Sequence, residues 1–356
     1  MTKTTRTIDS DTSIDNVGHP SPSHGHRTTM RAVVQDRYGS ADVLRIDSVP
    51  VPVAGDNEVL IEVAAAGLDR GVWHLMTGLP YLIRLAGYGF LKPKNPILGM
   101  DVAGRVVAVG SSVKRFALGD EVMGIAAGSF AQYTVADQEK LAPKPPNLTF
   151  EDGAASTISG IAALQALTTV GRVESGQRVL VIGASGGVGS FAVQIAKHLG
   201  ARVTGVASTA KLDLVTSLGA DEVVDYRHTE IADIGGEFDL IIDVGGRTPL
   251  LQLRRVLATR GTLVIVGGED GGRFTGGIGR NLRAVLLSLF VKQRMTFFIS
   301  SESRTYIDPL VEMLAAKDVI PAIGQRSALV DTADAIRAVA AGQAAGKNVI
   351  IVDHDE

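Results

Sequence analysis

Residues 179–189 read VLVIGASGGVG and run on into SFAVQIAK. Val179, Leu180, Val181 and Ile182 form an unbroken apolar run, the pattern of a strand buried on both faces of a parallel sheet. Gly183, Gly186 and Gly189 follow at three-residue spacing, and an amphipathic helix comes after them. A Cβ at such a turn would keep a pyrophosphate away from the backbone N–H groups. The helix N-terminus adds partial positive charge at the same place. Glycine-rich turns also close βα units that bind nothing, so the context decides. Here the turn lies between strand and helix with further βα alternation beyond it, which predicts dinucleotide binding by Gly183, Gly186, Gly187, Val188 and Gly189.

Working outward, residues 201–206, 223–225, 238–244, 261–266 and 295–300 read as further strands. Helices are expected over 154–170, 210–218 and 249–258. Strands alternating with helices predict an α/β fold with a Rossmann-type, doubly wound parallel sheet over residues 151–301. Residues 30–150 instead show short strands broken by turn residues, as in a β-rich, barrel-like domain. Pro143, Pro145 and Pro146 mark its end. Residues 302–356 hold one expected helix (308–317), mixed strands and a last strand over 348–352, a return segment completing the first domain. Residues 1–29 are rich in Thr, Ser, Asp, His and Pro and read as a disordered tail. His19, His24 and His26 are expected to be solvated there rather than metal-bound, and Met30 is a candidate for the natural start.

Composition narrows the function. The 356 residues are 45% hydrophobic and 21% charged, as in a globular protein, and the net charge is −3. No long basic run points to nucleic acid or an anionic membrane as the main partner. With no cysteine in the chain, disulfides, thiolate zinc sites and a cysteine nucleophile are all excluded. The apolar run over residues 284–291 is interrupted by Ser288 and is too short to span a bilayer, so no stable membrane insertion is expected. No targeting segment is recognisable, and cytoplasmic residence is the expectation.

Several stretches together resemble the medium-chain dehydrogenase/reductase superfamily, within it the zinc-free quinone oxidoreductase-like branch. They are Ala65-Ala66-Gly67 leading into Trp73-His74-Leu75-Met76-Thr77-Gly78, Pro96-Ile97-Leu98-Gly99-Met100-Asp101-Val102-Ala103-Gly104, Gly119-Asp120-Glu121-Val122, the glycine turn, and Gly346-Lys347-Asn348-Val349. The resemblance implies a discontinuous GroES-like catalytic domain around a Rossmann domain, with cofactor and active site in the cleft between them. It also implies a homo-oligomer, commonly a homodimer or a homotetramer. Zinc-dependent members carry a cysteine where Leu68-Asp69 stands and a Gly-His-Glu triplet where Gly99-Met100-Asp101 stands. No catalytic metal is therefore expected.

The cofactor reading starts from the end of the second strand, where NAD-selective folds place a carboxylate for the ribose 2′-hydroxyl. Here that region is Gly205-Val206-Ala207-Ser208-Thr209-Ala210-Lys211, with no acid. Ser208 and Thr209 can donate hydrogen bonds and Lys211 supplies charge, which favours NADPH over NADH. A bland alternative makes Ser208 an N-cap and Lys211 a solvated helix residue. Gly245 and Gly246, and Val266, Gly267 and Gly268, fall at the carboxyl edge of the sheet where ligands bind. The resemblance adds Tyr226 (with Arg227 adjacent) near the 2′-phosphate, and Ser159, Phe298, Ile299, Lys347 and Asn348 near the nicotinamide or pyrophosphate.

Without a metal to stabilise an alkoxide, hydride delivery to an already electrophilic acceptor is the remaining easy chemistry. Quinones and α,β-unsaturated carbonyls qualify, because conjugation spreads the developing charge. Asp69, His74, Tyr81 and Tyr88 fall in or after the stretch that walls the cleft in the resembled family and are the candidate proton donors. Residues 81–91, YLIRLAGYGFL, and 281–291 are apolar enough for an acceptor pocket or lid, or for a subunit interface or core. The competing readings are an NADPH-binding redox-sensing or scaffold protein with little turnover, and an alcohol dehydrogenase.

Overall fold

The computed structural model describes residue 1, residues 28–268 and residues 272–354. At its centre is a six-stranded parallel sheet. From edge to edge its strands are Glu222–Asp225, Arg202–Ala207, Arg178–Ile182, Phe238–Asp243, Leu257–Ile265 and Arg294–Phe297. The apolar run of the opening motif is an inner strand, with Val179, Leu180 and Val181 fully buried. Full burial of one such side chain stabilises by roughly 1.5–3 kcal/mol. The chain moves outward from this strand in one direction through Arg202–Ala207 and in the other through Phe238–Asp243. Its carboxyl end is thus the topological switch point, where doubly wound sheets bind ligands.

A second, seven-stranded sheet runs Ile323–Ala328, Lys347–Ile351, Glu58–Leu68, Asp101–Val109, Glu121–Ile125 and Leu141–Pro143, with Tyr133–Asp137 also pairing with Glu58–Leu68. Lys347–Ile351 lies antiparallel to Glu58–Leu68, so the end of the chain joins this seven-stranded sheet. On its way it touches the other unit. The Gly346 N–H donates to the Ser185 carbonyl at 2.7 Å, laying residues 346–348 beside the glycine turn.

Helix Phe150–Gln165 joins the two halves. Thr149 and Asp152 close its N-terminus with a reciprocal capping box. Gly160 lets it approach helix Arg304–Ala316, since a Cβ there would lie 2.6 Å from Leu310 Cδ2. Phe150–Val170 is long and apolar enough to cross a membrane, yet 78% of its most apolar stretch is buried inside the protein, as a core helix requires.

Several sequence expectations shift. The first strand begins at Thr29, which pairs with Pro50, so Thr29 belongs to a strand and not to the tail expected over 1–29; residues 2–27, with His19, His24 and His26, lie outside the described residues. The return segment holds a second helix, Thr332–Ala340, beyond the single one expected. Ala335 and Ile336 are buried on one side of it while Asp334 and Arg337 pair on the other. The helix expected over 249–258 stops at Val256, because Leu257 already pairs with Phe238 and opens the fifth strand. The helix expected from Asp308 starts at Arg304.

Candidate active site

The Rossmann half builds one wall of a cleft of about 550 Å³. Gly183 adopts φ +82°, a left-handed conformation that glycine takes without strain, and turns the chain out of the central strand. A Cβ on Gly189 would lie 2.0 Å from the Gly183 carbonyl oxygen, so this glycine serves the close packing of helix on strand. Gly186 differs, since a Cβ there would meet only the Gly183 oxygen, at 3.5 Å. Its backbone faces the cleft bare, and no side chain caps the helix Gly187–His198 that starts there. This leaves N–H donors and the helix dipole open to an anion, the cradle a pyrophosphate needs. Gly183, Gly186, Gly187 and Val188 line the cleft; Gly189 supports them from behind.

At one end of the cleft stand Ser208, Lys211 and Tyr226. The Lys211 ammonium donates to the carbonyls of Gly342, at 3.0 Å, and Ala344, at 2.6 Å, which ties the return segment to this end. Burial, with Arg227 nearby, holds its pKa below the ordinary lysine value. Thr209 does not line the cleft, because its hydroxyl donates to Asp225 at the end of the third strand. Asp225 also accepts from the Arg227 N–H and from His228, and these bonds, led by that of Thr209, hold its pKa down to about 2. Reading only the second strand could not find this carboxylate, since the parallel pairing of Asp225 with Ala207 brings it there.

The loop after the fourth strand forms a further wall through Val244, Gly245, Arg247 and Thr248. It is fixed by a buried pair, with Arg280 donating to Asp243 at 2.6 Å and to the Thr248 carbonyl at 2.6 Å. Burial raises the Asp243 pKa, and Arg280 opposes the shift. Val266, Gly267 and Phe298 do not line the cleft; Phe298 packs against the core, and Ile299 is exposed.

The opposite wall brings together residues far apart in sequence. Asp69 is the N-cap of helix Arg70–Thr77, its Oδ1 accepting from the Val72 N–H at 3.3 Å. Its Oδ2 accepts from Lys347 Nζ at 3.3 Å. The same ammonium donates to Asp101 Oδ2 at 2.6 Å and to Ser159 Oγ at 3.2 Å. An ammonium has three N–H donors, and all three have acceptors here. Asp101 is fully buried, its other oxygen accepting from the Ile158 N–H at 2.7 Å. Burial, reinforced by Asp69 and opposed by Lys347, pushes the Asp101 carboxyl up to about 6. Lys347 is raised too, because its carboxylate partners outweigh burial. Ser159, Asp69, Lys347 and Asn348 line the cleft. Asn348 has both side-chain polar atoms buried without a partner, as expected of a group that meets a ligand's amide or hydroxyl.

The other candidate acids stand apart from this cleft. His74 Nδ1 is 2.8 Å from the Leu79 carbonyl, and its ring meets Trp73 edge-on at 5.0 Å. Tyr81 stacks edge-on with Phe274, under the Arg84 guanidinium. Tyr88 is exposed, and neither His74, Tyr81 nor Tyr88 lines the cleft. Asp101 was visible in sequence as a replaced metal-ligand position. A second signal is a carboxylate heading a strand, Asp101–Val109, whose other residues are apolar except Arg105.

A two-domain nucleotide-dependent dehydrogenase is the class this fold and cleft define. Residues 187–315 match the zinc-binding dehydrogenase family and residues 55–146 the alcohol dehydrogenase GroES-like domain. Among curated relatives, the 2-methylene-furan-3-one reductase of Solanum lycopersicum is 36% identical over 67% of this chain and 62% of its own length. The mitochondrial NAD(P)H oxidoreductase RTN4IP1 of Mus musculus is 32% identical over 93% of this chain and 91% of its own. The solved quinone oxidoreductase of Coxiella burnetii superposes with a TM-score of 0.81 at 26% identity, covering 91% of this chain and all of that one. Mycobacterial Rv1454c complexed with NADPH gives 0.77 at 26% identity, covering 90% and 99%. The chain belongs to the medium-chain dehydrogenase/reductase superfamily, in its quinone oxidoreductase-like branch, whose members are NAD(P)H oxidoreductases.

The family's zinc chemistry meets a different donor set in this chain. Among the described residues no group of three or more His, Cys, Asp or Glu is placed to hold a metal ion. Asp69 and Asp101, at positions matching metal-site residues of zinc-dependent members, share the Lys347 ammonium instead. A divalent cation would have to displace that charge, so these residues do not fit a zinc ion.

Proposed function

We propose that the protein is a zinc-independent reductase that transfers hydride from NADPH to a quinone or an α,β-unsaturated carbonyl. The observation that carries this reading is the fixed Lys347 ammonium, bound to Asp69 and Asp101 in the region where a zinc-dependent relative would bind its metal. NADPH is the cofactor, and it supplies a hydride when bound. The bare backbone at Gly186 and the helix N-terminus receive its pyrophosphate. Ser208, Lys211 and Tyr226 stand at the end of the cleft that suits a 2′-phosphate, Lys211 exchanging its carbonyl partners for that anion.

Lys347 acts as a positioning group, because its three donors are all engaged. By donating to Ser159 Oγ it leaves the serine's own O–H proton to be given to a group in the cleft. Asp69, with each oxygen already accepting, orients the start of helix Arg70–Thr77 rather than donating a proton. An acceptor whose charge is delocalised by conjugation needs no Lewis acid, and such a cleft supplies orientation and exclusion of water.

The test is NADPH oxidation with a panel of quinones and enones, with and without a chelator, beside NADH controls. Saturable turnover indifferent to chelator is expected. Tight NADPH binding without turnover would replace the reductase reading with that of a redox-sensing or scaffold protein. Activity lost to chelator and restored by zinc would overturn the metal-free chemistry.

A further inference from the structure

Between helix Thr332–Ala340 and strand Lys347–Ile351 the chain runs along the cofactor cleft, with Gly342, Ala344 and Gly346 among the residues that line it. Both ends of this stretch are fixed. At the near end Arg70 Nη1 donates to the Val339 and Ala340 carbonyls, at 2.9 and 3.0 Å, taking up oxygens that the end of a helix leaves open. The Gly342 and Gln343 N–H groups turn back to the carbonyls of Val339 and Ala338, at 3.0 and 3.1 Å. Gly342 itself is at φ +71°, the left-handed stop of a helix. At the far end the Gly346 N–H is held by the Ser185 carbonyl, and Gly346 is left-handed as well, at φ +79°.

The middle is held differently. Gln343 is exposed and Ala344 and Ala345 are half-buried, so no side chain roots residues 343–345 in a core. Instead the Lys211 ammonium, from the Rossmann half, donates to the carbonyls of Gly342 and Ala344. Under the proposed function Lys211 also receives the 2′-phosphate of NADPH, and it cannot serve both in full. Two of its three N–H groups are spent on the backbone. A phosphate brings close to two negative charges, and its oxygens would approach Nζ beside two carbonyl oxygens of like partial charge. A ribose 2′-hydroxyl makes no such demand.

We propose that residues 342–346 form a strap that competes with the 2′-phosphate of NADPH for Lys211, so that NADPH binds with the strap released and NADH with it latched. The inference rests on the placing of the 2′-phosphate at Lys211 and not on the chemistry of the acceptor. The two left-handed glycines are the points between which the strap moves, while Arg70 and Ser185 keep its ends in place. The strap is then a specificity-determining element. Latching lowers the apparent affinity for NADPH by the fraction of molecules in which Lys211 is occupied, and leaves the affinity for NADH as it was.

The chain contains no cysteine, so Gln343→Cys can carry a single fluorescent label on the strap. Label anisotropy is followed as the full chain is titrated with NADP⁺ or NAD⁺, which differ only in the 2′-phosphate. A fall with saturating NADP⁺ and none with NAD⁺ is expected. With Lys211→Ala added, the label should be mobile from the start and respond to neither. Inserting Gly-Ser-Gly-Ser after Gln343 nearly doubles the strap and makes latching harder. The Kd for NADP⁺ should then drop roughly threefold, while that for NAD⁺ stays level. A label that responds alike to both nucleotides, or to neither, would overturn the proposal. If Lys211→Ala still abolishes the preference for NADP⁺ in that case, the placing of the phosphate survives, served by the third N–H of the ammonium. A preference for NADP⁺ that outlasts Lys211→Ala would instead remove the placing itself, and the proposal with it.

Discussion

The Lys347 ammonium lies 2.6 Å from Asp101 Oδ2, with both side chains almost wholly withdrawn from water. The pair links two strands of the seven-stranded sheet, Lys347–Ile351 and Asp101–Val109, across the strand that lies between them. It also sets the hydroxyl of Ser159, on the helix between the two sheets. Removing one member of a buried pair typically costs about 3–5 kcal/mol, because the other charge is left uncompensated. We expect Lys347→Met to fall in this range, reduced to the extent that Asp101 takes up a proton. The double variant K347M/D101L should recover part of the loss. Urea unfolding of the four proteins of the cycle measures the coupling, and additive losses would show that the pair does not act as a unit.

Asp101 also predicts a pH dependence. Its carboxyl is at about 6 in the folded chain against an ordinary value of 3.8. Between those values the folded protein holds a proton that the unfolded chain has released. The contribution of Asp101 to stability therefore falls as pH rises through that window and is level above it. The difference in unfolding free energy between wild type and Asp101→Asn, followed from pH 4 to 7, should carry this slope. An inflection near pH 6 in kcat/KM should likewise vanish in Asp101→Asn.

Two glycines of the same turn should respond differently to one methyl group. In Gly189→Ala the Cβ meets the Gly183 oxygen at 2.0 Å, and such overpacking costs about 1–3 kcal/mol, read as a lower Tm. In Gly186→Ala the Cβ points into the cleft, so Tm should hold while the Kd for NADPH rises. Equal loss of Tm in both would contradict the division of roles.

At the far end of the cleft, Lys211→Ala should raise KM for NADPH roughly 10- to 100-fold, the loss of one charge-assisted hydrogen bond, and leave KM for NADH nearly unchanged. A parallel rise for both cofactors would mean that Lys211 acts by tying down Gly342 and Ala344 instead.

Ser159→Ala removes the hydroxyl that Lys347 orients. A fall in kcat of about 10²-fold with intact folding is expected if that O–H serves the charge that develops in the reaction. An unchanged kcat with raised KM for NADPH would place the hydroxyl on the cofactor alone.

Much of this was legible along the chain. The run Val179–Val181 is apolar on both faces because the sheet buries both, and glycine spacing records where backbone approaches backbone or lies bare, so strand, turn and helix could be read locally. The resemblance supplied Ser159, Tyr226, Lys347 and Asn348, all of which line the cleft. Helix Thr332–Ala340 carried a readable pattern of buried Ala335 and Ile336 against charged Asp334 and Arg337, but is too short to stand out from its alanine-rich surroundings.

The sequence by itself determined the α/β alternation, the glycine turn and the absence of thiolate chemistry, since each depends on residue type and near neighbours. Only the tertiary structure decided which polar groups share the cleft. Asp69, Asp101, Ser159 and Lys347 are brought together by antiparallel pairing of the last strand with Glu58–Leu68 and by the helix laid between the sheets. It likewise withdrew Thr209 to Asp225 and left His74 and Tyr81 outside the cleft, because long-range pairing sets such distances and no local pattern encodes them.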